Sequence, residues 1–117
     1  MSHLRSLTFL DLTWCLKLHD EAVMRSLTRG LTALTSLKLS CTSVKDAGVR
    51  LIASDLTALT HLELYNSSSL TDRGVVALSR LPALTQLELQ DCFEVTAAGV
   101  QALRRKVGPR LFVEADF

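Results

Sequence analysis

Aromatic side chains are scarce in this 117-residue sequence, where four Phe, one Trp and one Tyr make up 5% of a chain that is 48% hydrophobic. The apolar content is therefore mostly aliphatic, which suits stacked layers of similar small side chains better than a core built around large rings. Charge of one sign is also lacking. Thirteen Lys and Arg against twelve Asp and Glu leave a formal charge of +1, so no global field draws in nucleic acid or an anionic membrane. Apolar runs are short, as in Val75-Val76-Ala77-Leu78, and fall far below the ~20 residues that span a bilayer. Membrane insertion is not expected. Residues 1–20 lack the basic, apolar and small-residue segments of a secretory signal and already contain Asp11 and Asp20, which argues against a mitochondrial presequence. An intracellular, cytoplasmic protein is the default expectation, and an organellar chain whose presequence had been removed would look the same.

Catalytic and metal-binding patterns are missing as well. Cys15, Cys41 and Cys92 form no Cys-x-x-Cys pair, and His3, His19 and His61 have no metal-ligand spacing with one another or with cysteine. Cys15 and Cys92 occupy equivalent places three repeats apart, roughly 14 Å at a strand spacing of ~4.8 Å, which excludes a disulfide without rearrangement. Buried turn support is the expected role of these two thiols, with Cys41 partly exposed. No phosphate-binding loop or nucleophile elbow occurs, because Gly48, Gly74 and Gly99 recur with the repeat. Arg104-Arg105-Lys106 with Arg110 is the one basic cluster, read first as cations complementing a helix C-terminus. Nucleic acid is not an expected partner. No cofactor, metal or small-molecule substrate is expected, and the chain reads as a non-enzyme.

What is present is a repeat. Leu-x-x-Leu-x-Leu occurs at Leu7/Leu10/Leu12, Leu34/Leu37/Leu39, Leu59/Leu62/Leu64 and Leu84/Leu87/Leu89, offset by 27, 25 and 25 residues. Leu4, Leu31, Leu56 and Leu81 precede each block by three, and Leu111-Phe112-Val113 is an incomplete fifth copy. Each block is followed by Cys15, Thr42, Ser67 or Cys92, small groups able to hydrogen-bond the turn backbone. A helix signature follows, with Thr or Asp suited to the N-cap and Val49/Ile52/Ala53/Leu56, Val75/Leu78/Leu81 and Val100/Leu103 at helical spacing. The predicted unit is a short strand, a turn and an outer helix. The chain is read as one domain over 1–117, with repeats at about 4–30, 31–55, 56–80 and 81–106 and a terminal strand at 110–114.

These residues resemble the cysteine-containing leucine-rich repeat family, as found in the substrate-binding parts of F-box proteins and related to the ribonuclease inhibitor fold. The resemblance covers about residues 4–113. It implies an α/β solenoid of about four and a half repeats, with a parallel sheet on the concave face and helices on the convex face. The sequence departs from the pattern in two extra residues before Leu31, Ala22 in place of the glycine, Val44 one residue early, and Thr42 and Ser67 in place of the cysteine. No F-box stands before the repeats, so docking to a ubiquitin-ligase core is not implied.

In such strands the residues between the leucines face outward and align into rows. The inferred rows are Phe9/Asp11/Thr13/Trp14, Ser36/Lys38/Ser40/Cys41, His61/Glu63/Tyr65/Asn66, Gln86/Glu88/Gln90/Asp91 and Arg110/Phe112/Glu114. The single Trp and single Tyr fall on this face with Phe9 and Phe112, and aromatics beside charges are typical of protein-binding hot spots. The expected partner-binding residues are Phe9, Asp11, Trp14, Lys38, His61, Glu63, Tyr65, Glu88, Asp91 and Phe112. The column Asp11, Lys38, Glu63, Glu88 is biased toward acid and suggests a partner segment carrying Lys or Arg. Alternatively, Trp14 folds down over the first turn as a local cap.

Two functions follow. One is a non-catalytic interaction module that binds another protein on its concave face, such as a substrate-recognition adaptor. The other is a constitutive subunit of a large assembly, docked through an uncapped N-terminal edge where Leu4, Leu7, Phe9 and Leu10 leave an apolar first layer.

Overall fold

The computed structural model describes residues 6–15, 18 and 20–116. His3, Leu4 and His19, which entered the sequence reading, lie outside the described residues. Five short strands, β1 (Phe9–Asp11), β2 (Ser36–Lys38), β3 (His61–Glu63), β4 (Gln86–Glu88) and β5 (Phe112–Glu114), form one parallel sheet in chain order. Helices α1 (Glu21–Gly30), α2 (Asp46–Asp55), α3 (Asp72–Ala77) and α4 (Ala97–Val107) alternate with them, and α3 tightens into a 3-10 turn at Leu78–Arg80. A helix is ~10 Å wide and neighbouring strands are only ~4.8 Å apart, so the sheet lies on the inner side of the curve.

Strand pairing places Leu10, Leu37, Leu62, Leu87 and Val113 in one column. The leucines of the second, third and fourth blocks are all buried, as are the helix residues Val49, Ile52, Val75, Leu78, Val100 and Leu103. Each layer is closed by the layer on either side. Leu7, Leu10 and Leu12 are only half-buried because the first layer has one neighbour.

Three polar ladders accompany the apolar one. The hydroxyls of Thr35, Thr60 and Thr85 each donate to the carbonyl of the threonine one repeat earlier, at Thr8, Thr35 and Thr60. A second ladder links helix starts. Thr71 caps α3 and Thr96 caps α4, and each donates its amide and hydroxyl to the carboxylate that opens the preceding helix, Asp46 and Asp72 respectively. The cap of α2 differs from expectation: it is Lys45, whose ammonium has no acceptor for a helix amide, while the Asp46 carboxylate serves the next repeat.

This second ladder explains two glycines. A methyl at Gly74 would meet Asp46 Oδ1 at 2.5 Å, and one at Gly99 would collide with the Asp72 carboxylate. Gly99→Ala is expected to destabilise the fold by about 1–3 kcal/mol, the usual range for overpacking. Urea unfolding checks this, and adding Asp72→Ala should recover part of the loss if the carboxylate is the obstacle.

A third ladder runs through the turns after the strands. Trp14, Cys41, Asn66 and Asp91 occupy the same place in successive repeats and all have positive φ, at 70°, 57°, 59° and 61°. Asn and Asp tolerate the left-handed region, whereas Trp and Cys rarely adopt it. The conformation is held because the amides of Trp14, Cys41 and Asn66 donate to the carbonyls of Ser40, Tyr65 and Gln90, and that of Asp91 to the Asp116 carboxylate.

The small residues of the turn behave unequally. Thr42 donates to the Leu39 carbonyl and the buried Cys92 thiol to the Leu64 carbonyl. Cys15 is half-buried against the core, and Ser67 Oγ is buried without a hydrogen-bond partner among the described residues. Ser40, expected to face outward, is buried: its hydroxyl donates to Glu63 Oε2 and accepts from the Tyr65 amide.

Candidate functional site

Because the strands are parallel and in register, the outward residues on either side of the buried leucines form two columns. The first reads Phe9, Ser36, His61, Gln86, Phe112, and the second Asp11, Lys38, Glu63, Glu88, Glu114. Eight of the ten sequence-selected residues lie on these strands or, for Tyr65, just beyond one. The other two, Trp14 and Asp91, sit at the left-handed turn positions at the same end.

The aromatic members are conspicuously open to solvent. Trp14 is 70% exposed, Phe112 61% and Phe9 52%, while Tyr65 is half-buried. With most of its surface open to solvent, Trp14 does not fold down over the first turn as a cap. Lys38 Nζ stands 5.7 Å from the centre of the Phe9 ring, within reach of a cation–π contact. Asp11 accepts from the amide and hydroxyl of Thr13, which hold its carboxyl below the usual range.

The other half of the face is acidic. Glu63, Glu88 and Glu114 stand side by side on β3, β4 and β5, where like charges directly opposite one another repel. His61 Nε2 lies 3.1 Å from Glu88 Oε2. Burial is the largest influence on Glu88 and opposes its ionisation, but the hydrogen bond and charge of His61 outweigh it, with help from the Glu63 and Glu114 contacts, and hold the carboxyl below its ordinary value. Burial, followed by the negative charges of Glu88, Glu114 and Glu63, pushes the Tyr65 phenol above its ordinary value. The phenol therefore faces the acidic column. Asp91 and Asp116, exposed at the strand ends, extend the same sign of charge.

One exposed aromatic was not singled out from the sequence. Phe93, in the turn after β4, is 78% exposed and follows Asp91 and Cys92 closely. Its signal was available in the repeat register, because the matching turn positions in the two preceding repeats are Ser43 and Ser68. Among the described residues no group of three or more His, Cys, Asp or Glu is placed to hold a metal ion. Among them, too, no helix is long and apolar enough to cross a membrane.

A face of exposed rings beside charge of mostly one sign is suited to binding a surface. A search of curated proteins finds no match. A leucine-rich repeat model matches residues 3–24 and 30–53, the first two of the repeats described above. Repeats of this kind generally mediate protein–protein interaction and are typically non-catalytic. The two matched repeats support a leucine-rich repeat family, and the fold, five parallel strands backed by four helices, is that of a leucine-rich repeat solenoid.

Proposed function

We propose that the chain is a non-catalytic recognition module, of the cysteine-containing subtype, that binds another protein on its concave face and acts as an adaptor. The observation that carries this reading is the pairing of exposed Phe9, Trp14 and Phe112 with the Glu63, Glu88, Glu114 column on one face. The partner segment it fits is extended, with Lys or Arg over the glutamates and an apolar side chain against Trp14 or Phe9. The subtype is supported by Cys92, whose buried thiol ties the turn to the Leu64 carbonyl, and by Cys15 at the matching place. The whole 117-residue chain is read as one domain, since every strand pairs with its sequence neighbour.

Charge on the face sets the rate of encounter more than final affinity. Glu63→Gln with Glu88→Gln should slow association with the native partner by about tenfold at low salt and flatten its salt dependence. Surface plasmon resonance across a salt series reads both quantities. An association rate and salt slope equal to wild type would remove the acidic column from the interface.

A second reading, a constitutive subunit docked through its first repeat, is favoured by one feature. An apolar cleft of about 440 Å³ opens between β1 and α1, lined by Leu7, Leu10, Leu12, Val23, Leu27 and Leu31. Hydrogen exchange separates the two readings. Protection gained at residues 23–31 in the native complex supports docking at that end, and protection gained at residues 61–65 and 86–91 with none at 23–31 supports the adaptor.

A further inference from the structure

The formal charge of +1 conceals a separation of sign between the two faces. On the sheet side the acids Asp11, Glu63, Glu88 and Glu114 outnumber the cations, with Lys38 beside them and His61 paired to Glu88. On the helix side the carboxylates are already engaged: Asp46 and Asp72 by the capping threonines, and Asp55 by the buried Thr28 hydroxyl. The cations of the same helices have no such partner.

Four of these cations converge. Arg50 of α2, Arg73 of α3, Arg80 of the 3-10 turn and Lys106 of α4 line one groove of about 310 Å³, with no acidic residue among its walls. All four side chains are exposed, and none makes an ion pair or hydrogen bond among the described residues. The floor is Val76 and Ala77, and Ser79 adds a hydroxyl at the rim.

The groove has a cause in the repeat lengths. Repeat two takes five residues from Leu39 to Val44 and ten from Asp46 to Leu56, whereas repeat three takes six from Leu64 to Leu70 and nine from Asp72 to Leu81. The total is conserved, but the outer segment of repeat three is one residue short. It covers the distance by tightening into a 3-10 turn, which rises about 2.0 Å per residue instead of about 1.5 Å. The slimmer segment is flanked by the ten-residue α2 and eleven-residue α4, whose Arg50 and Lys106 overhang it. Lys106 thereby leaves the sequence cluster in which it was first noticed. Its neighbours Arg104 and Arg110 are used internally, donating to the carbonyls of Val113 and of Leu81 and Leu84.

We propose that this convex groove is a binding site for a compact, multiply charged phosphate group. Four convergent cations, three of them guanidinium forks that match phosphate oxygens, suit a ligand of several negative charges. The volume is at the lower end of small-ligand sites. The same chemistry is offered by a free polyphosphorylated molecule and by a phosphorylated lipid headgroup.

Titration of the full chain with inorganic tripolyphosphate, followed by calorimetry and by amide chemical shifts, tests the site. Vesicles of phosphatidylcholine with and without a phosphoinositide form the second arm. The expected result is saturable binding with shifts at residues 50, 73–80 and 106, weakened about tenfold by Arg73→Gln and more by Arg73→Gln with Arg80→Gln. Arg25→Gln, on α1 and away from the groove, should leave it unchanged. Binding to phosphoinositide vesicles without binding to tripolyphosphate assigns the site to a headgroup, and binding to both assigns it to the phosphate alone. Loss that is equal in Arg25→Gln and Arg73→Gln, or no binding in either arm near physiological salt, overturns the proposal. All substituted side chains are exposed, so each variant's unchanged thermal unfolding serves as the folding control.

Discussion

Leu62→Ala is expected to lower unfolding free energy by about 2–5 kcal/mol, the range for truncating a fully buried leucine that leaves a cavity. Leu62 is completely buried and lies between Leu37 and Leu87 in the central column. With a repeat packed on each side, the walls cannot collapse into the space. Total stability of a domain this size is on the order of 5–15 kcal/mol, so the loss is a large fraction of it. In a stack whose repeats contact only their neighbours, damage at the middle also uncouples the two ends. Leu10→Ala provides the comparison: it occupies the same column but is half-buried in the outermost strand, so its cost should be clearly smaller. Urea midpoints measured together check both values. A Leu62→Ala midpoint equal to wild type would contradict the register.

The second large effect concerns binding. Truncating a central interface aromatic typically removes ~2 kcal/mol or more, about thirtyfold in affinity. Tyr65→Ala should weaken partner binding by that order, because Tyr65 lies against the acidic column and joins it to the Asn66 turn. Trp14→Asn is the more discriminating variant. Trp14 is 70% exposed and held at φ 70°, so its ring adds little to the core and its backbone carries strain that asparagine tolerates better. The substitution should weaken binding strongly while leaving the melting temperature unchanged or raised by a degree or two. Affinity and stability would then move in opposite directions, a result that general damage to the fold cannot produce. Undiminished binding by Trp14→Asn with Tyr65→Ala would exclude both rings from the interface.

The architecture was legible in the sequence because a single signal was repeated four times. Leu34, Leu37 and Leu39 have little meaning alone, but their recurrence at Leu59, Leu62 and Leu64 fixes a strand, its buried face and its neighbour. The outward columns followed from the same alternation. What escaped was set by contacts between repeats. Nothing local distinguishes Asp46 from an ordinary N-terminal helix acid, yet it holds the capping Thr71 of the next repeat and forces glycine at position 74. The left-handed turns were hidden because only Asn66 and Asp91 are residues that commonly signal them, while Trp14 and Cys41 take the conformation from their hydrogen bonds to the next repeat. Ser40 was assigned to solvent by alternation, but on the outward face it is covered by the next repeat, whose Glu63 carboxylate and Tyr65 amide hold its hydroxyl. The convex cations lie on four separate segments, and only the shortened helix of repeat three brings them around one groove.

Photo-crosslinking tests the concave interface most directly. A photoreactive residue at Gln86 would sit on β4 in the outward column between His61 and Phe112, whereas one at Gln101 would sit exposed on α4 on the opposite face. Both sites are polar and lie outside the core, so neither should disturb the stack. Irradiation of the native complex should give partner adducts from position 86 and none from position 101; adducts from position 101 alone would contradict recognition on the concave face.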